Sequence, residues 1–131
     1  MVIDTSALLA ILNDEPERRS FNEAIEGAES VSLSAATFVE TSIVIEARFG
    51  AEGVRDLDHF LGLAAIVVKE VDADQAYLAR RAFTEFGKGR HLAGLNFGDC
   101  FSYALAKVRG ERLLFKGNDF TQTDIEAVTL S

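Results

Sequence analysis

The feature that most constrains this chain is an alternation. Short apolar, partly β-branched runs are separated by longer stretches that carry helix caps and helical periodicity. Met1-Val2-Ile3, Val31-Ser32-Leu33, the stretch from Ala65 to Val71 and Leu113-Leu114-Phe115 read as strands. Thr5 or Ser6 caps a helix through Leu8, Leu9 and Leu12, and Asn13-Asp14-Glu15-Pro16 breaks it and starts another toward Gly27. Ser34 caps a long helix ending near Gly50, with a further helix over about 52–63. Asp72 caps the helix that holds Ala76, Leu78, Ala79 and Phe83, and a glycine-rich loop runs from Phe86 to Leu95. Asn96 caps a helix from Phe97 to about Arg109, stopped by Gly110; a turn at Lys116-Gly117-Asn118 and a last short strand near Ala127 to Leu130 complete the chain. Strands alternating with helices predict an α/β fold, a mostly parallel central sheet with helices on both faces.

The chain has 131 residues, enough for a single domain over 1–131 with a core of its own. One cysteine, Cys100, excludes an intramolecular disulfide and a cysteine-based zinc site. His59 and His91 lack metal-ligand spacing and read as ordinary polar residues, and most of the ten phenylalanines fall on core periodicity. No basic segment followed by a long apolar run opens the chain, and the apolar runs are too short to span a membrane. A reducing cytoplasm is the compartment expected.

The chemistry is carried by carboxylates. In parallel α/β sheets, ligands bind outside the carboxyl ends of the strands. Asp4 follows the first strand directly, and Asp119 follows the late strand ending at Phe115. Helix N-termini lie on the same edge, which brings in Glu40, in the second turn after Ser34, and Asp99, in the first turn after Asn96. Glu40's neighbours at steps of three and four are Ala36, Ile43, Val44 and Ala47, a stripe expected to face the core. A carboxylate there is costly unless paired, protonated or bound to a cation, and four crowded carboxylates repel one another. Hard oxygen ligands with few histidines suit Mg²⁺ or Mn²⁺, which activates water and offsets charge on a phosphate. Each acid has a plainer explanation: Asp4 and Asp119 as turn residues, Asp99 as part of its helix cap, Glu40 as a partner of Arg48 or Arg90. Their convergence favours a site.

Net charge is -8, from 13 Lys and Arg against 21 Asp and Glu, which by itself argues against a nucleic-acid partner. The distribution argues otherwise. Between Arg80 and Lys116 there are eight basic and three acidic residues, so this span is +5 and the remainder -13. Arg90 and Lys116 are expected near the acidic edge as phosphate contacts, with Lys88 close by. Cys100 beside Asp99 lacks a histidine to activate it and reads as an inert buried thiol.

Val2-Ile3-Asp4-Thr5-Ser6-Ala7 resembles the opening of PIN-domain ribonucleases. The Glu40 helix, the segment Gly89-Arg90-His91 through Leu95-Asn96-Phe97-Gly98-Asp99-Cys100-Phe101-Ser102-Tyr103-Ala104, and Leu113-Leu114-Phe115-Lys116-Gly117-Asn118-Asp119-Phe120 are similar to the VapC toxins within that family. The resemblance spans nearly the whole chain. It implies a PIN-like domain and a Mg²⁺- or Mn²⁺-dependent endoribonuclease, the toxin of a toxin–antitoxin pair. The family's acidic quartet carries over onto Asp4, Glu40, Asp99 and Asp119, of which Asp4, Asp99 and Asp119 would hold metal. Thr5 or Ser6 matches the hydroxyl beside the first acid, and Asp124 fits the family's tail without an assigned role. The implied partners are an RNA substrate, a VapB-type antitoxin that places a basic side chain in the acidic site, and a second copy in a homodimer or a toxin–antitoxin hetero-oligomer.

Three other readings stand beside this one. A phosphatase with Asp4 as nucleophile usually shows an acid two residues later, where this chain has Ser6. A phospho-accepting receiver domain needs an acid pair near the first strand, and none is apparent. A catalytically silent PIN-like module would only bind RNA or a partner.

Overall fold

The computed structural model describes residues 1–131. Its elements are β1 (Val2–Ile3), α1 (Thr5–Leu12), α2 (Arg18–Gly27), β2 (Val31–Ser34), α3 (Ala35–Leu63), β3 (Ile66–Lys69), α4 (Ala73–Phe86), α5 (Phe97–Arg109) and β4 (Leu113–Leu114), followed by a 3₁₀ turn over Phe120–Gln122. The four strands form one sheet in the order β3-β2-β1-β4, and every pairing is parallel.

The period-two alternation of strand side chains builds two cores from very short strands. Ile3, Val31, Leu33 and Leu114 turn to one face, where Leu8, Ile11, Phe21, Ile25, Leu57 and Leu61 of α1, α2 and α3 cover them. Val2 and Leu113 turn to the other, against Ala79, Ala82, Tyr103, Ala104 and Leu105 of α4 and α5. Helices therefore cover both faces, as the alternation predicts. No helix is long and apolar enough to cross a membrane.

Three details differ from expectation. The helix after β1 is capped by Asp4 itself, whose side chain accepts from the Ser6 N–H, and not by Thr5 or Ser6. The helices on either side of Gly50 are joined through a kink, where glycine takes φ 67° and ψ -160°. The last strand is reduced to a single bridge between Leu113 and Ala127, held by Leu113 N–H to Glu126 and Val128 N–H to Leu113.

The strand order reverses beside β1, between β2 on one side and β4 on the other. This is the switch point at which parallel sheets open a crevice at their carboxyl edge. Asp4 is the first residue past β1, on that crevice.

Candidate active site

Asp4 is 2% exposed, and both of its carboxylate oxygens accept hydrogen bonds. Oδ2 accepts from the Ser6 backbone N–H at 3.0 Å and the Ser6 hydroxyl at 2.7 Å; Oδ1 accepts from the Ser102 hydroxyl at 2.5 Å. The Lys116 backbone N–H in turn donates to Ser6 Oγ at 2.9 Å, which ties the segment after β4 to the segment after β1.

Glu40 comes from the second turn of α3, whose N-terminus Ser34 caps. Its Oε1 accepts from Thr5 Oγ1 at 2.6 Å, and its carboxylate lies against Gly98 in space that a Cβ there would fill. The expected apolar stripe around Glu40 is not the core face: Ile43 is 61% exposed, and α3 buries Thr37, Thr41 and Ile45 instead. The reason is what α3 packs on. Its first turns meet the hydroxyls of the acidic crevice, so the inward face is polar and the apolar stripe turns outward. Burial nevertheless pushes the Glu40 pKa up, Asp4's charge adds to the rise, and the Thr5 hydrogen bond opposes it. Glu40 pairs with neither Arg48 nor Arg90.

Asp99 is the third residue of α5 and closes a capping box: its N–H donates to Asn96 Oδ1 at 2.9 Å and its Oδ2 accepts from the Asn96 N–H at 3.0 Å. The helix-cap explanation of Asp99 is thus correct as far as it goes. It does not account for the proton affinity. Burial foremost, then the charges of Asp4, Asp119 and Glu40, raise the Asp99 pKa from 3.8 to about 7, against the Asn96 hydrogen bond. Asp119 is exposed at the start of the 3₁₀ turn and makes no capping bond. The four carboxylates thus share one field, at one edge of the sheet.

Their donor chemistry suits a hard divalent cation. Asp99, with one oxygen outside the capping box and a raised proton affinity, is the group most relieved by a positive neighbour. No three Asp, Glu, His or Cys side chains stand as a preformed metal group; Asp4, Glu40 and Asp99 rest on hydroxyl and backbone donors.

The charged ends of the two expected phosphate contacts are engaged by other partners. The Lys116 ammonium pairs with Glu15 and Glu17 of the α1–α2 connection, so only its backbone N–H serves the site. The Arg90 guanidinium lies over the Phe83 ring, 5.6 Å from its centroid, and forms no ion pair with the acids. Asp124 stands apart from the quartet, accepting from Tyr103 at 2.6 Å and pairing with Lys107 at 2.8 Å. Cys100 donates to the Asn96 carbonyl at 3.2 Å, and burial pushes its thiol up to about 11. His91 accepts from the Ala93 N–H within its own loop. Among the phenylalanines, Phe97 is an exception to core placement, 78% exposed at the start of α5.

Four site residues have no counterpart in the sequence reading: Thr37, Thr41, Gly98 and Ser102. The signals were present as two threonines four apart on one helix and a serine three residues after Asp99, among apolar neighbours. A buried hydroxyl needs a partner: Ser102 meets Asp4 directly, and Thr37 and Thr41 reach the acids through Ser102 and Thr5.

The family described as "PIN domain" matches residues 1–126. The protein named "VapC ribonuclease Mb0640" of Mycobacterium bovis is 56% identical over 130 residues, 99% of each chain. "Ribonuclease VapC30" of Mycobacterium tuberculosis is equally similar, and "Ribonuclease VapC" of Mycolicibacterium smegmatis is 56% identical over 128 residues, 98% of this chain and 99% of its own. Among solved structures, the sarcin–ricin loop cleaving toxin VapC20 of Mycobacterium tuberculosis superposes with a TM-score of 0.78 at 18% identity, covering 97% of each chain. VapBC2 of Rickettsia felis, solved bound to a promoter DNA fragment, gives 0.78 at 13% identity over 99% of this chain and 98% of its own. These last two likenesses establish the fold.

Proposed function

The chain belongs to the PIN-domain family, and from that premise we propose that it is a toxin ribonuclease of the VapC kind, an endoribonuclease that cleaves RNA phosphodiesters with water. The observation that carries the reading is Asp99: its carboxyl is raised to about 7 by burial and by three other acids that converge from β1, α3 and the segment after β4. A structural capping box needs none of those three.

Asp4, Asp99 and Asp119 are the residues to hold Mg²⁺ or Mn²⁺. When bound there, such a cation supplies a water of lowered pKa and a positive charge for the phosphoryl oxygens. The rest is work for the chain. Ser6 and Ser102 hold the Asp4 oxygens in one orientation. Asn96 holds one Asp99 oxygen in the capping box, and the other accepts no hydrogen bond from the chain. Thr5 holds one Glu40 oxygen, and in this reading Glu40 completes the shell around the cation or orients the attacking water. No covalent step is assigned to Cys100, whose thiol is buried and engaged.

The partner in this reading is a VapB-type antitoxin carrying a basic side chain to the acids. Support comes from the -13 charge outside the basic span and from the outward apolar face of α3, with Val39 and Ile43 exposed. A homodimer, or a toxin–antitoxin hetero-oligomer, belongs to the same proposal, as does action in the cytoplasm, where RNA targets are found.

The test is cleavage of a structured RNA with and without Mg²⁺, by the wild type and by Asp4→Ala. Metal-dependent cleavage lost in the variant is expected. Equal rates with and without Asp4 overturn the assignment.

A further inference from the structure

Beneath the acids lies a layer of buried hydroxyls. Thr37 and Thr41 sit one turn apart on the inward face of α3, and both are fully buried. Thr41 Oγ1 stands 3.0 Å from Thr5 Oγ1, which stands 2.6 Å from Glu40 Oε1. Thr37 Oγ1 stands 3.2 Å from Ser102 Oγ, which stands 2.5 Å from Asp4 Oδ1. Two arms of equal length thus run from one helix face to two different carboxylates.

Proton counting gives both arms a direction. An ionised carboxylate only accepts, and each hydroxyl has a single proton to give. Thr5 must donate to Glu40, and Ser102 must donate to Asp4. The Thr5 oxygen can then only accept from Thr41, and the Ser102 oxygen only from Thr37. Thr41 also lies 2.9 Å from the Thr37 carbonyl, but that carbonyl is within the α3 ladder and is not orphaned when the Thr41 proton points to Thr5.

We propose that Thr37 and Thr41 are positioning residues, which aim the protons of Ser102 and Thr5 at Asp4 and Glu40 and so hold the two carboxylates in the orientation that hydrolysis requires. Packing alone does not explain them. Valine has nearly the same shape, and a core position that serves only to fill space has no use for a hydroxyl that must be desolvated. Donors arranged in series also polarise one another, which strengthens the final bond to each acid. The proposal rests on the hydrolytic reading of the site, so its test is built to separate the two.

Wild-type cleavage of RNA tests the hydrolytic reading by itself. The relay is tested by comparing Thr41→Val with Thr41→Ser in kcat, in KM and in the ¹³C resonance of the Glu40 carboxylate of metal-free protein. Thr41→Val is expected to lower kcat about three- to tenfold, the rate equivalent of one hydrogen bond, with KM held within about twofold, and to move the Glu40 resonance. Thr41→Ser is expected to restore both. Thr37→Val is expected to move the Asp4 resonance and leave that of Glu40 in place. A Glu40 resonance and kcat unchanged in Thr41→Val overturn the proposal, as does a serine variant that loses as much as the valine. If Thr41→Val does not fold, Thr41→Cys, which keeps the volume with a weak donor, takes its place under the same criteria. If the wild type proves inactive, the resonances alone decide the relay.

Discussion

The Glu40 carboxylate lies directly over the Cα of Gly98, in the volume a side chain at residue 98 would occupy. The contact joins the second turn of α3 to the first turn of α5, one residue before Asp99. Gly98 is helical and needs no special backbone angle, so its lack of a Cβ serves the approach of the acid. Gly98→Ala is therefore expected to separate activity from stability. Alanine favours a helix over glycine by about 1 kcal/mol, which offsets part of the strain of displacing Glu40. RNA cleavage should fall at least about tenfold, the cost of misplacing one group in the site, while the melting temperature changes by only a few degrees. A variant with wild-type kcat would show that Glu40's position is not required.

A second prediction follows from Asp99, and its sign is opposite to that of a salt-bridged acid. The folded-state pKa lies near 7 against 3.8 for the free group, so between those values the folded protein binds the proton that the unfolded chain releases. Stability of the metal-free protein should therefore fall as pH rises from about 5 to about 8. Glu40 is shifted in the same direction. Glu15, Glu111 and Asp124 are shifted downward and act only at lower pH. Scanning calorimetry in chelator should give a higher melting temperature at pH 5.5 than at pH 8. Asp99→Asn should flatten the profile and raise the value at pH 8, while activity is lost. A wild-type profile flat over this range would contradict the crowding of the four acids.

The fold was legible because its signal is local. Short strands bounded by caps announce a parallel sheet, and the edge where its helices begin follows from connectivity, so Asp4, Glu40 and Asp99 could be gathered by topology. Periodicity failed at Glu40 because it assumes that an apolar stripe faces inward. Here α3 turns Thr37 and Thr41 to the interior and Ile43 to solvent. What decides that is the neighbouring polar layer, which is assembled from residues up to 98 positions apart. Lys116 and Arg90 show the same limit: their segments could be placed, but a long side chain chooses among partners brought by other elements, here Glu15 and Glu17 for one and Phe83 for the other.

The Lys116 clamp makes a further prediction about substrate. Its ammonium is held by two carboxylates and adds little field for a phosphate. Lys116→Gln should leave KM for RNA within about twofold at physiological salt, since the ammonium is already offset by two carboxylates. The double variant Glu15→Gln, Glu17→Gln frees the lysine and removes two negative charges near the site. It should lower KM, and the effect should shrink as salt is raised from about 50 to 200 mM. Tighter binding by Lys116→Gln, or no change in the double variant, would refute the clamp.

Cys100 provides the last test, because it lies next to Asp99 and has no part in the proposed chemistry. Burial foremost, and then the Asp99 charge, hold its thiol near 11. At pH 8 only about one molecule in a thousand carries the thiolate that reacts with electrophiles. Iodoacetamide should therefore leave the native protein largely unlabelled over an hour, and should label it fully in denaturant. Cys100→Ala should retain cleavage within about twofold, with a loss of stability of about 1 kcal/mol from the small cavity. Rapid native labelling, or loss of activity in the alanine variant with its fold intact, would return the thiol to the mechanism.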